Sequence, residues 1–191
     1  MPKVNAKVLL LEKGAEILHR KGFNDTGIQE VLKAAGIPKG SFYYYFESKE
    51  DFGLQVVEVY ASIMSQTLSA HTTGERPSVL EGLQDFFREM TARAIESDYS
   101  GCPLGNLSQE MGDRNEAFRA RLDAVFRHLE SEIADLIRAA SDTGEIKTVE
   151  DPKRVASFLV SSWEGALLRM KLTHDIEPFD VFMHMAIDGL K

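Results

Sequence analysis

The chain has 191 residues, 43% of them hydrophobic, a formal net charge of −8 and one cysteine. It can bury a real core, but no apolar run approaches the roughly 18–20 residues that span a bilayer, and the Val8–Leu11 patch, broken at once by Glu12 and Lys13, is too short and charged for a signal-peptide core. A lone Cys102 excludes an internal disulfide framework and fits a reducing compartment, so a soluble cytoplasmic protein without membrane partners is expected.

Nearly every segment reads as helix. Val8, Leu11, Ala15 and Leu18 recur at three- and four-residue spacing, with Gly22 as a stop. A second helix is expected after Asp25, capped by Thr26, carrying Ile28, Val31, Leu32 and Ala35 and ended by Gly36. Pro38 suits the first turn of a short third helix. Ser48-Lys49-Glu50-Asp51 resembles a capping box opening a long helix to about residue 70. The run from His71 to Pro77 is a polar break. Helical patterns resume over about 78–97, 103–111, 115–141, 151–173 and 177–190, interrupted at Asp142-Thr143-Gly144. The fold class is all-α.

The charge is unevenly distributed. Residues 1–50 carry eight basic and six acidic side chains, net +2, whereas the rest carries fourteen and twenty-four, net −10. A phosphate-binding surface is local, so an acidic body can coexist with a mildly basic head.

Two short helices joined at Gly36, with Ile28, Val31, Leu32, Ile37, Phe42 and Phe46 facing inward, make a helix-turn-helix. Phe42 and Phe46 lie four apart and share a face, whereas three consecutive tyrosines, Tyr43 to Tyr45, cannot all enter one core. Lys39, Gly40, Tyr43 and Tyr44 are left facing outward, a set suited to a major groove and its phosphates.

The stretch from Gly36 to Phe52, Gly-Ile-Pro-Lys-Gly-Ser-Phe-Tyr-Tyr-Tyr-Phe-Glu-Ser-Lys-Glu-Asp-Phe, resembles the DNA-binding signature of TetR-family bacterial repressors, a match extending over about residues 8–52. The resemblance implies phosphate contacts from Thr26, Tyr43, Tyr45 and Lys49, and groove contacts from Lys39, Gly40, Ser41 and Tyr44 on double-stranded operator DNA. It divides the chain into a DNA-binding domain, 1–47, and a helical effector-sensing and dimerisation domain, 48–191. It also implies a homodimer paired through the last two helices. Apolar stripes there agree: Val155, Phe158, Leu159, Trp163, Ala166 and Met170, then Phe179, Phe182, Met183, Ala186 and Leu190. The same residues could instead be intramolecular core.

Cys102 stands just before Pro103, where a helix N-terminus favours thiolate. An inert buried cysteine is the plainer reading. Gly101-Cys102-Pro103-Leu104-Gly105-Asn106-Leu107 resembles the sensor region of TetR-type repressors that respond to electrophiles and reactive chlorine, as in the N-ethylmaleimide-responsive repressor. That resemblance implies a lysine partner for the cysteine, and Lys171 stands at the comparable point. Asn106 and Glu110, one turn apart, could orient a polar ligand, or form a cap or solvated face. Phe86, Met90 and Trp163 could line a small-molecule cavity, or be core.

Two effector readings stay open: covalent modification of Cys102, or a noncovalent hydrophobic or small-acid ligand with Cys102 structural. No His or Cys spacing suits a metal and no cofactor motif occurs, so neither is expected. A cysteine enzyme would need a base and an oxyanion hole, for which no motif speaks, and the chain is read as a non-enzyme.

Overall fold

The computed structural model describes residues 5–74 and 78–191. Met1–Val4 of the leading segment and Glu75, Arg76 and Pro77 of the expected loop lie outside the described residues. Helices follow one another in the order α1 (Ala6–Lys21), α2 (Ile28–Ala34), α3 (Phe42–Tyr45), α4 (Lys49–Thr72), α5 (Val79–Glu96), α6 (Pro103–Met111), α7 (Glu116–Asp142), α8 (Pro152–Thr173) and α9 (Glu177–Phe182). No strand occurs among the described residues. The last helix is shorter than the expected 177–190: after Phe182 the chain widens into a π-helical turn over Met183–Ile187 and ends in a 3₁₀ turn, Asp188–Leu190.

The chain forms two compact units, one of residues 1–62 with 103–123, the other of residues 63–102 with 124–191. This division differs from a cut at residue 47. The first unit is discontinuous because α6 and the start of α7 supply part of its interior, including Leu107, Met111 and Phe118.

In the first unit, Asn5 caps α1 by accepting the Lys7 amide at 3.0 Å. Gly22 ends the helix with φ 81°, a backbone region that side chains resist. Leu10, Leu18, Val31, Leu32, Phe42, Phe46 and Phe52 are buried around the turn between α2 and α3. The rings of Phe42, Phe46 and Phe52 stand 5.0–5.5 Å apart in tilted and edge-on pairs, a favourable aromatic geometry. Their packing leaves no room at Gly14, where a Cβ would come within 2.1 Å of the Phe52 ring. Ser48 and Asp51 cap α4: the Asp51 amide donates to Ser48 Oγ at 3.0 Å, and Asp51 Oδ2 accepts the Glu47 amide at 2.9 Å.

In the second unit, Ser78 caps α5 by accepting the Glu81 amide at 2.9 Å. The Glu145 carboxylate satisfies two more first-turn amides, those of Val79 at 3.0 Å and Leu80 at 2.7 Å. Phe86, Phe87, Ile133, Ile137, Leu159 and Trp163 are buried. Asp151 and Pro152 start α8, the Asp151 carboxylate accepting the Arg154 amide at 3.2 Å and the proline occupying the first turn.

Candidate functional site: a DNA-reading surface and a buried thiol–carboxyl pair

Gly36, with φ 66°, turns the chain between α2 and α3. The expected helix start at Pro38 is not formed. Pro38, Lys39 and Gly40 make a turn in which the Ser41 amide donates to the Pro38 carbonyl at 3.0 Å, and α3 begins only at Phe42. Phe42 and Phe46 anchor this single turn in the core. The intervening Tyr43 and Tyr44 project outward, 69% and 84% exposed. Lys39 and Gly40 are exposed beside them, while Ser41 and Tyr45 are half-buried. The Tyr45 ring stands edge-on to Tyr44 at 4.9 Å. Six of the eight expected DNA-contact residues thus lie along 39–45, presenting a cation, phenolic hydroxyls and accessible backbone.

Thr26 and Lys49 sit differently. Thr26 neither caps α2, whose N-cap is Gly27, nor reaches solvent. It is 1% exposed and its hydroxyl donates to the Gly22 carbonyl at 2.6 Å. The intervening Gly27 moves the helix start one residue on, so Thr26 braces the turn from inside. Lys49 turns its ammonium back onto the Asn24 carbonyl at 3.0 Å and over the Phe23 ring at 4.7 Å. Burial holds its pKa below the usual lysine value, against the opposing pull of Glu110 and Asp25. Glu110 explains the same turn from the other side. Its carboxylate accepts the Phe23 and Asn24 amides, each at 2.7 Å, which commits it to the backbone after α1 rather than to a ligand. Asn106, one turn before it on α6, is half-buried.

Cys102 lies just before α6 and is buried, 6% exposed. The preceding Asp98 and Tyr99 adopt left-handed conformations, φ 58° and 54°, costly for residues with a Cβ. The thiol is hydrogen-bonded to the Glu164 carboxyl of α8. Part of Glu164 reaches solvent, yet its Oε1 is buried and has no hydrogen-bond partner among the described residues. Burial pushes this carboxyl up to about 7, and the Cys102 hydrogen bond pulls the other way. Lys171, the expected partner of Cys102, is exposed two helical turns beyond Glu164.

Glu164 was not singled out from the sequence. The available signal is an acid set between Trp163 and the small residues Gly165 and Ala166, in an otherwise apolar stripe. Phe86 and Trp163 fill the unit's core instead of facing an opening. Their ring centroids are 6.2 Å apart, Phe87 lies 5.5 Å from Trp163, and the indole Nε1 donates to the buried Thr91 hydroxyl at 3.0 Å. Met90 is half-buried.

On the same unit, α8 and α9 border an apolar groove of about 460 Å³, lined by Phe158, Ala166, Pro178, Val181, Phe182 and Met185 among others. Phe158, Val181 and Met185 are 55–69% exposed along it.

An N-terminal helix-turn-helix displaying outward tyrosines, followed by an all-helical second region, defines a DNA-binding regulator. Comparison with known proteins makes this specific. Residues 10–56 match the model for bacterial regulatory proteins of the tetR family, and residues 79–186 match the model for a tetracyclin repressor-like C-terminal domain. The chain is 34% identical to the HTH-type transcriptional repressor DhaR of Mycobacterium sp. strain GP1 over 191 residues, all of this chain and 94% of that one. The crystal structure of a regulatory protein TetR from Rhodobacter sphaeroides superposes with TM-score 0.89 at 35% identity, covering 97% and 99% of the two chains. The reduced form of NemR from Escherichia coli gives TM-score 0.87 at 25% identity, covering 98% of each. The chain belongs to the TetR family and is a transcriptional repressor of that family, not an enzyme. No helix among the described residues is long and apolar enough to cross a membrane.

Proposed function

We propose that this chain is a homodimeric repressor that binds a palindromic operator and leaves it when Cys102 is alkylated or oxidised. The observation that carries the DNA part is the outward pair Tyr43 and Tyr44 beside Lys39 and Gly40, held on a turn whose other face is buried aromatic core. Lys39, Gly40, Ser41 and Tyr44 read the groove, and Tyr43 and Tyr45 contact phosphate. Thr26 and Lys49 act by shaping the turn that carries them.

Pairing through α8 and the segment from α9 onward covers the groove lined by Phe158, Val181 and Met185. One such head reads few bases, whereas two reach successive major grooves about 34 Å apart. The identity to DhaR, named a repressor, and the fold shared with NemR support release by an effector. A coupling of about 1–3 kcal/mol between effector and operator changes affinity roughly 5–150-fold, enough to switch a promoter.

Operator anisotropy with and without N-ethylmaleimide, on wild type and Cys102→Ser, tests the reading. Release of wild type and retention of the variant is the expected result. Retention of both overturns the covalent part. It leaves a noncovalent small acid or hydrophobic effector, with Cys102, Asn106 and Lys171 in structural or ligand-binding roles, a reading the burial of Cys102 favours.

A further inference from the structure

We propose that Glu164 is the proton carrier of Cys102, taking the thiol proton as sulfur attacks an activated alkene and returning it to the product. This deepens the electrophile reading above and rests on it. Three observations converge. The Cys102 thiol is hydrogen-bonded to the Glu164 carboxyl. One oxygen of that carboxyl, Oε1, is buried with no partner among the described residues. The segment that delivers Cys102 holds two non-glycine residues in left-handed backbone conformations, Asp98 and Tyr99; such strain survives only where the surroundings enforce a position.

A purely structural carboxyl would satisfy both oxygens, because an orphaned buried oxygen costs free energy. A carboxyl that meets the thiol and keeps one buried oxygen unpartnered is suited to exchanging a proton rather than to bracing a structural network. The step balances. The S–H bond breaks and its proton passes to the Glu164 carboxylate. Sγ bonds the β-carbon of the alkene while the π pair moves to the α-carbon, and that carbon takes the proton back from Glu164. The product is a thioether, and no further reactant is consumed.

The electrostatic setting suits the task. Of the elements packed on α8, α5 presents the neutral Thr91 to Trp163, and the charged residues at the start of α9 and beyond it, Glu177, Asp180 and His184, are exposed. On α8 itself the next cation on the same face is Lys171, two turns away. Cys102 is the ionisable group that acts directly on the carboxyl. A carboxyl raised to about 7 by burial is half-ionised near neutrality, where a base works best.

The test is the second-order rate of N-ethylmaleimide addition to the full-length protein between pH 5.5 and 8, which reads Cys102 alone because the chain has one thiol. Wild type, Glu164→Gln and Glu164→Asp are compared, each also in denaturant to fix the intrinsic thiol rate. Glu164→Gln is expected to react at least tenfold more slowly than wild type at pH 7, with a profile that follows thiol ionisation alone. Glu164→Asp should recover part of the rate and an inflection near neutrality. Equal rates and identical profiles in wild type and Glu164→Gln overturn the proposal. Operator release on the same samples separates the two readings. Slow addition in Glu164→Gln with fully alkylated wild type still bound to DNA keeps the proton carrier and sinks the release reading. Equal rates with alkylated wild type released do the reverse.

Discussion

The Glu110 carboxylate is bonded to the backbone of Phe23, accepting its amide at 2.7 Å and that of Asn24 at the same distance. The two positions are 87 residues apart in sequence, and the contact closes the end of α1 against α6. Charge-assisted bonds to backbone amides contribute roughly 1.5–3 kcal/mol. Glu110→Ala is expected to lower unfolding free energy by about that amount in urea titration and to weaken operator binding with it. A loss under about 0.5 kcal/mol, the range of neutral surface changes, would show the contact to be incidental.

The raised Glu164 carboxyl makes stability depend on pH. Its folded value is about 7 against an ordinary 4.5. Below about 4.5 both folded and unfolded chains hold the proton and no penalty exists. As pH rises from there to 7, the unfolded chain releases its proton while the folded one keeps it, so stability falls, by as much as about 3 kcal/mol in total. Glu164→Gln should therefore be more stable than wild type above pH 7, with the gap closing toward pH 4.5. Thermal melts at three pH values measure this, and a constant gap would contradict it.

Tyr44 is 84% exposed, so Tyr44→Ala should leave the melting temperature within a degree or two of wild type. Operator affinity is expected to fall about tenfold, the worth of one groove contact. Lys39→Ala, which removes a second groove contact, should also weaken operator binding, by about 1–3 kcal/mol, and relax base preference at the position it reads. Unchanged affinity and base preference in both variants would remove residues 39–45 from the interface.

Trp163→Phe keeps most of the ring packing against Phe86 and Phe87 but strands the buried Thr91 hydroxyl. Such a lost partner costs about 1–3 kcal/mol. Adding Thr91→Val to Trp163→Phe should recover part of it, and full additivity in the double-mutant cycle would show that the bond contributes nothing.

Local features were legible in the sequence. Gly22 and Gly36 stop helices because each adopts positive φ, and the four-residue spacing of Phe42 and Phe46 places both rings in one core. Thr26 misleads because a threonine before a helix has the chemistry of a cap, whereas here Gly27 starts the helix and the hydroxyl finds the Gly22 carbonyl. Pro38 likewise has the φ of a first helical residue but is used in a turn. Glu110 and Glu164 were beyond reach of periodicity. One meets its partners some 87 residues away, the other meets Cys102 only through packing, and no local pattern encodes either encounter. The outward-facing Tyr43 and Tyr44 were readable since solvent exposure there follows from helical geometry alone.

The discontinuity of the first unit sets a timetable for its synthesis. Tyr44 leaves the ribosome well before Phe118, whose ring packs at 4.9 Å on Phe23. At about 5–20 residues per second, the 74 residues from there through Phe118 take roughly 4–15 s to translate. For most of that interval the nascent chain carries its outward tyrosines without the Glu110 carboxylate and the Phe118 ring, which close the interior of the unit against Phe23. Messages cut short within α5 are expected to yield not a small stable DNA-binding domain but an unfinished one, prone to degradation before it can occupy a promoter.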